Sequence, residues 1–277
     1  MEMFRHEFMQ HAFQASFLIA VIAPLLGLFL VLRRQSLMAD TLSHISLAGV
    51  ALGMFVNVNP TVTTLIIVVI AAVVIEYIRS IYKTYSEVSI AVLMSAGLSI
   101  ALVLMSLDEG SGTSSIQQYL FGSIVTISQE QVYLLAVLFT IIVLLFFLFR
   151  KPMYVLTFDE DTAFTAGLPV RFMSLLFNVI TGITIAVIMP IAGALLVSAI
   201  MILPAAIAMR LSKSFNLVML MGVVVGLIGM FGGLTTSYEL GTPPGATITL
   251  IFIVIFIFSG MIGKLLSLFR KKTSRIK

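Results

Sequence analysis

Within the stretch LMADTLSHISLAGVALGMF, residues 37–55, Asp40 and His44 are the side chains able to do chemistry. Residues four apart on a helix share a face, about one turn from each other. A carboxylate and an imidazole at that spacing can grip one divalent cation. An ionised group inside a membrane helix is expensive, about 2.5–3.5 kcal/mol for Asp near the helix centre, so a functional role is the first expectation. Zinc usually takes four ligands in a tetrahedron, and one chain offers two. Either a two-fold homodimer brings a second Asp40 and His44 to the axis, or one pair plus water makes an incomplete site that releases its ion easily. The competing reading makes Asp40, six residues past Arg34, the N-cap of its helix and gives His44 a hydrogen bond to a neighbouring helix.

The frame that must hold this pair is a membrane one. The 277 residues are 60% hydrophobic and 10% charged, and the mean hydropathy is +1.16. Apolar runs such as 61–75 and 248–258 carry no charge at all. Lipid allows only helices or closed barrels to span it, and the period-2 alternation of a barrel is absent. The expectation is therefore an all-α, polytopic membrane protein forming a single domain over residues 1–277. There are no cysteines, so disulfides and thiolate metal sites are excluded. The net charge of +4 matters through where its charges fall, and no nucleic-acid partner is implied. No cleavable signal stands out at the N-terminus, and no phosphate loop of the GxxxxGK[ST] type occurs.

About nine spans can be placed: 16–32, 37–57, 61–78, 88–107, 132–149, 172–189, 191–209, 217–231 and 246–266. Residues 1–14 read as an amphipathic lead-in on the membrane surface. Setting the Arg33–Arg34 turn in the cytoplasm places Arg79, Lys83, Arg150, Lys151, Arg171, Arg210, Lys213, Lys264 and the basic tail there too. Of the basic residues, Arg5 alone falls outside. Asp108, Glu109 and Glu239 lie in the opposite turns, so the positive-inside rule puts the N-terminus out and the C-terminus in. The segment 110–131 contains QQYLFGSIVTIS, a short apolar run of re-entrant or interfacial length. Pro190, Gly193 and Pro204, and the glycines 222, 226, 229, 232 and 233, read first as close helix packing and second as hinges along a path.

The cytoplasmic segment 158–170, FDEDTAFTAGLPV, opens on three acids, Asp159, Glu160 and Asp161. Acids suit a helix start, and Gly167 followed by Pro169 is an ordinary stop. A short helix with Ala163 and Phe164 on it is expected, either as a plain connector or as a docking helix that places Phe164 in a partner's groove. Glu76, beside Arg79, reads as structural. Asn178, Thr247 and Thr249 suit a polar path or interhelical hydrogen bonds. No role is assigned to His6, His11 or Glu239.

Four segments, VLRRQSLMADTLSHISLAGVALG (31–53), FDEDTAFTAGLPV (158–170), ILPAAIAMRLSKS (202–214) and SYELGTPPGATI (237–248), carry a family likeness. The chain resembles the permease subunits of bacterial zinc, manganese and iron importers of the ATP-binding-cassette class, the ABC-3 group, over nearly its whole length. The resemblance implies that Asp40 and His44 handle the metal. It also implies that Asp159, Glu160, Asp161, Ala163, Phe164 and Gly167 belong to the segment that couples to the ATPase. It further implies a plasma-membrane machine of two permease copies, two cytoplasmic ATP-binding subunits and an extracytoplasmic metal-binding protein. In such a machine the permease binds no cofactor and catalyses no reaction, ATP is hydrolysed on the partner, and Zn2+ is the favoured substrate ahead of Mn2+ or Fe2+.

Two other classes bound the reading. A proton-coupled secondary transporter would use Asp40 as its proton carrier, but no inverted repeat is visible. An intramembrane hydrolase has neither HExxH nor GxSxG nor a cysteine to work with.

Overall fold

A computed structural model describes residues 6–82, 86–107, 118–123 and 127–273. Its long elements are helices: α1 Glu7–Leu32, α2 Ser36–Phe55, α3 Pro60–Ile81, α4 Ser86–Leu107, α5 Gln129–Phe158, α6 Glu160–Thr165, α7 Val170–Ala192, α8 Val197–Leu211, α9 Phe215–Leu240 and α10 Pro244–Thr273. Among the described residues eight are long and apolar enough to cross a membrane, and α8 is a shorter apolar helix. The segment 110–131 is described at 118–123 and 127–131, and the rest of it lies outside the described residues.

Local chemistry sets most of the boundaries. Asn59 accepts from the Thr61 amide while Pro60 occupies the first helical position of α3. Ser128 and Gln131 close a reciprocal capping box at the start of α5. Gly241 adopts a left-handed conformation to end α9, and Pro243 and Pro244 follow.

Several boundaries differ from the sequence expectation, among them the end of α5, which runs past residue 149 and through Pro152 to Phe158. The lead-in is helical from Glu7 and continuous with the first span. Glu239 sits in the last turn of α9 and not in a loop. The seventh span begins six residues late, because α7 runs on to Ala192 and residues 193–196 are not helical. At 1.5 Å per residue the 15 residues of α8 cover about 22 Å, less than the hydrocarbon thickness of about 30 Å.

α1, α2 and α7 form the buried centre, with Leu30, Leu42, Leu47, Ile185 and Ile188 fully enclosed. α3, α4 and α5 turn large apolar side chains outward, among them Ile70, Val92, Leu144 and Phe147. Gly222 and Gly226 of α9 face α1 at Pro24 and Ala20, and Gly229 and Gly233 face α10 at Phe252 and Ile248. Close packing through small residues accounts for these four glycines.

Candidate functional site

α2 begins at Ser36 with Gln35 as its N-cap residue. Asp40 therefore lies one turn inside the helix, and the capping alternative for it is excluded. The early start follows from a tight turn. Arg34 takes a positive φ of 56°, and the Gln35 amide donates to Leu30 O at 2.7 Å, so the chain reverses within three residues.

From Met38 to Ala51 every residue of α2 is buried except Asp40 and His44. The remaining faces are held by neighbours. Gly97 of α4 packs so closely that a Cβ there would lie 2.9 Å from Ile45 Cγ1 and 3.2 Å from the His44 carbonyl carbon. Gly49 meets Thr64 of α3 in the same way. Thr41 Oγ1 donates to Leu37 O at 3.0 Å, and Ser46 Oγ to Leu42 O at 2.7 Å. Polar side chains that could have competed with Asp40 and His44 are thus already satisfied within the helix. Asp40 and His44 are half-buried and lie one above the other. His44 Nδ1 is buried and has no hydrogen-bond partner, which is rare for a buried polar atom. Among the described residues no three His, Cys, Asp or Glu side chains converge.

The irregular residues 193–196 lie against this helix. Ser43, adjacent to His44, donates to the Ala194 carbonyl. The Ala194 amide donates to Tyr119 O at 2.9 Å. Gly122 and Gly193 cross here with φ of +77° and +90°, backbone against backbone, where a side chain on either would collide. Non-helical backbone among membrane helices is tolerated where protein covers it or where it lines a cavity. Pro190 and Gly193 hinted at a break in the sequence, but the partners of that break are about 70 and 150 residues away and had no local signal.

The segment 158–170 forms the short helix expected of it. Asp159 is the N-cap residue of α6, and its carboxylate accepts from the Thr162 amide at 2.9 Å and from the Thr162 hydroxyl. The bond to the Thr162 hydroxyl, then that to its amide, holds the Asp159 carboxyl below its usual value. Glu160 and Asp161 fill the first turn. Ala163 is fully buried against Leu156, Val170 and Met173, whereas Phe164 is 72% exposed. Gly167 turns the chain with a φ of +78°.

A second polar cluster was read in the sequence only through the Glu76–Arg79 pair and through Asn178 as an interhelical hydrogen-bonding residue. Glu76 Oε2 accepts from Asn178 Nδ2 at 2.5 Å and lies 3.5 Å from Arg79 Nη1. Ser174 Oγ accepts from Arg33 Nη2 at 2.6 Å and from Arg79 Nη1 at 3.3 Å. Arg79 Nη2 reaches Glu160 at 3.9 Å. His11 Nδ1 bonds Ile127 O at 3.1 Å, and His6 stacks on Phe8. These histidines lie at the start of α1, and Arg33, Arg79 and Glu160 gather where α1 and α3 end.

Comparison with known proteins places this arrangement. The ABC 3 transport family matches residues 5–263. A probable metal transport system membrane protein of Treponema pallidum is 33% identical, over 91% of this chain and 94% of that one. A manganese transport system membrane protein of Halalkalibacterium halodurans is 26% identical over 99% of this chain and 95% of its own length. A high-affinity zinc uptake system membrane protein of Buchnera aphidicola is 28% identical over 85% and 90%. The solved structure of PsaBC from Streptococcus pneumoniae in complex with Fab superposes with a TM-score of 0.82 at 26% identity, covering 92% of this chain and 91% of that one. On the extent of these matches and the helical frame they share, the chain belongs to the ABC 3 transport family and is one of its multi-pass membrane permeases.

Proposed function

We propose that the chain is the permease of an ATP-driven divalent metal importer and that Asp40 and His44 handle the ion on its way through. The observation that carries this is the single open face of α2. On a helix otherwise buried from Met38 to Ala51, the residues left half-exposed are a carboxylate and an imidazole one turn apart. Two donors hold an ion weakly, which suits a conduit. Two copies meeting along this face would supply two carboxylates and two imidazoles, the number a tetrahedral zinc needs.

Zn2+ is the favoured substrate, because imidazole nitrogen suits zinc or iron better than manganese, which prefers oxygen. Relatives serving manganese and zinc systems both occur, so Mn2+ is the reading to test against it. α6, with Asp159, Glu160, Asp161, Ala163, Phe164 and Gly167, is the coupling element. Its exposed Phe164 offers an apolar knob to a cytoplasmic ATP-binding subunit. An extracytoplasmic metal-binding protein would deliver the ion at the opposite side, with the N-terminus out and the C-terminus in. The permease itself performs no covalent step.

The test is uptake of labelled Zn2+ and Mn2+, in competition, by the complete complex in proteoliposomes, for the native chain and for Asp40→Asn and His44→Ala. Zinc-preferring, ATP-dependent uptake that both substitutions abolish supports the reading. Uptake that survives both removes Asp40 and His44 from the path.

A further inference from the structure

The cluster around Ser174 joins two parts of the molecule that the proposed function needs to move together. Glu160, the first residue of α6, has a side chain that is 60% exposed and lies 3.9 Å from Arg79 Nη2. Arg79, at the end of α3, shares the Ser174 hydroxyl of α7 with Arg33. Arg33 ends α1, and residues 33–35 separate α1 from α2. That connection is stiff, because the amides of Arg33, Arg34 and Gln35 donate to Phe29, Val31 and Leu30. A displacement of Arg33 is therefore passed to the first turn of α2, and α2 carries Asp40 and His44 on the next two turns.

A second observation points the same way. Arg33 Nη1, both amide atoms of Gln35 and Asn178 Oδ1 are buried here without hydrogen-bond partners. Buried polar groups are nearly always paired. Several unpaired atoms among three helices at one end are what a junction leaves when a second arrangement pairs them differently. Like charges at the junction add to this. Burial, then the neighbouring Arg79, push the Arg33 guanidinium down to about 10, and Glu76 and Glu160 act in the opposite direction. α6 is lightly seated, by Ala163 in a small cluster, between an extended Asp159 and the left-handed Gly167.

We propose that Arg79, Ser174 and Arg33 are positioning residues that transmit displacement of α6, sensed through Glu160, to the start of α2 and so reorient the Asp40–His44 face. Energetic coupling of this kind runs through packed polar networks and rigid elements with two arrangements. The inference rests on the reading of α6 as the coupling element and of α2 as the metal-handling helix.

The chain contains no cysteine, so Val56→Cys, exposed at the far end of α2, gives one labelling site in the permease. The labelled complex with its ATPase and binding protein, that partner's native cysteines replaced where present, is compared with and without nucleotide. Glu160→Gln and Arg79→Gln are expected to reduce the nucleotide-induced signal change and the metal moved per ATP by about tenfold, within the usual range of couplings between sites. ATP hydrolysis by the Arg79→Gln complex is expected to stay within about twofold of the native one, and Arg79→Lys to restore both readouts. Should Arg79→Gln fail to assemble, Glu160→Gln, at an exposed side chain, carries the test alone. A nucleotide response and a metal-to-ATP ratio both unchanged in Glu160→Gln overturn the proposal, as does a loss that Arg79→Lys does not relieve. Asp40→Ala in the same labelled background separates the two readings. Retained metal uptake there defeats the metal path, while the label still reports whether α6 moves α2.

Discussion

Two sets of polar side chains lie among these helices, and they are treated differently. Glu76, Arg79, Arg33, Ser174 and Asn178 bond one another across α1, α3 and α7, although Arg33 Nη1 and Asn178 Oδ1 stay unpaired. Asp40 and His44 are half-buried on a helix otherwise buried from Met38 to Ala51, with His44 Nδ1 unpartnered. Both sets carry the cost of charge in an apolar setting. The first offsets it internally and so holds helices together. In the function proposed above, the second leaves it for a metal ion. A network of bonds across three helices is what sets the first cluster apart from the second.

The sharpest way to break that contrast is to remove one acid from each set. Asp40→Ala is expected to lower metal uptake on the order of a hundredfold, the upper end of what loss of even an outer-shell partner costs. Its thermal unfolding in detergent should hardly change, because no packed partner is stranded. Glu76→Ala is expected to show the reverse. It strands Arg79 and Asn178 and should destabilise the fold by about 3 kcal/mol, as broken buried pairs do, read as a lower unfolding midpoint. Uptake per folded complex should fall far less than for Asp40→Ala. If the two variants exchange signatures, the division between site and scaffold is wrong.

Gly97→Val sharpens the comparison from the packing side. The new side chain must push α4 off Ile45 and the His44 backbone. Overpacking of that kind costs about 1–3 kcal/mol, and equilibrium binding of Zn2+ to the complex should weaken although no ligand has changed.

The smallest effect is expected at Asp159. Its carboxyl is held below the ordinary value by Thr162. A group depressed on folding lends its support fully above the unfolded value, about 3.9 for Asp. That support disappears as the pH falls through the lower folded value. A spin label at Phe164→Cys should therefore become more mobile only in acid, below about pH 4. Asp159→Asn should remove most of that pH dependence.

Much of this was legible without coordinates. Apolar runs over 20 residues long leave the backbone no choice but helix in lipid. Asn59–Pro60 and Ser128 with Gln131 wrote their own helix starts. The spacing of Asp40 and His44 placed both on one face, and the acids after Phe158 marked the start of α6. The late beginning of α8 was not legible, since residues 193–196 are as apolar as a helix. Their conformation depends on Tyr119 and Leu120, to which they hydrogen-bond. Nor was the length of α9, whose polar last turn resembled a loop while it continued the helix.

What the sequence determined by itself is everything governed by near neighbours: which runs become helices, where caps stop them, and which side chains share a turn. The tertiary structure alone decided which polar groups are left over. Glu76 finds Asn178 across 102 residues, and Ser43 finds Ala194 across 151. Hydrogen bonds at such separations are fixed by how helices pack, and packing depends on the whole surface of each helix at once. That Asp40 and His44 stay outside the polar network of Glu76, Arg79, Asn178 and Ser174 could therefore be seen only once the helices had packed.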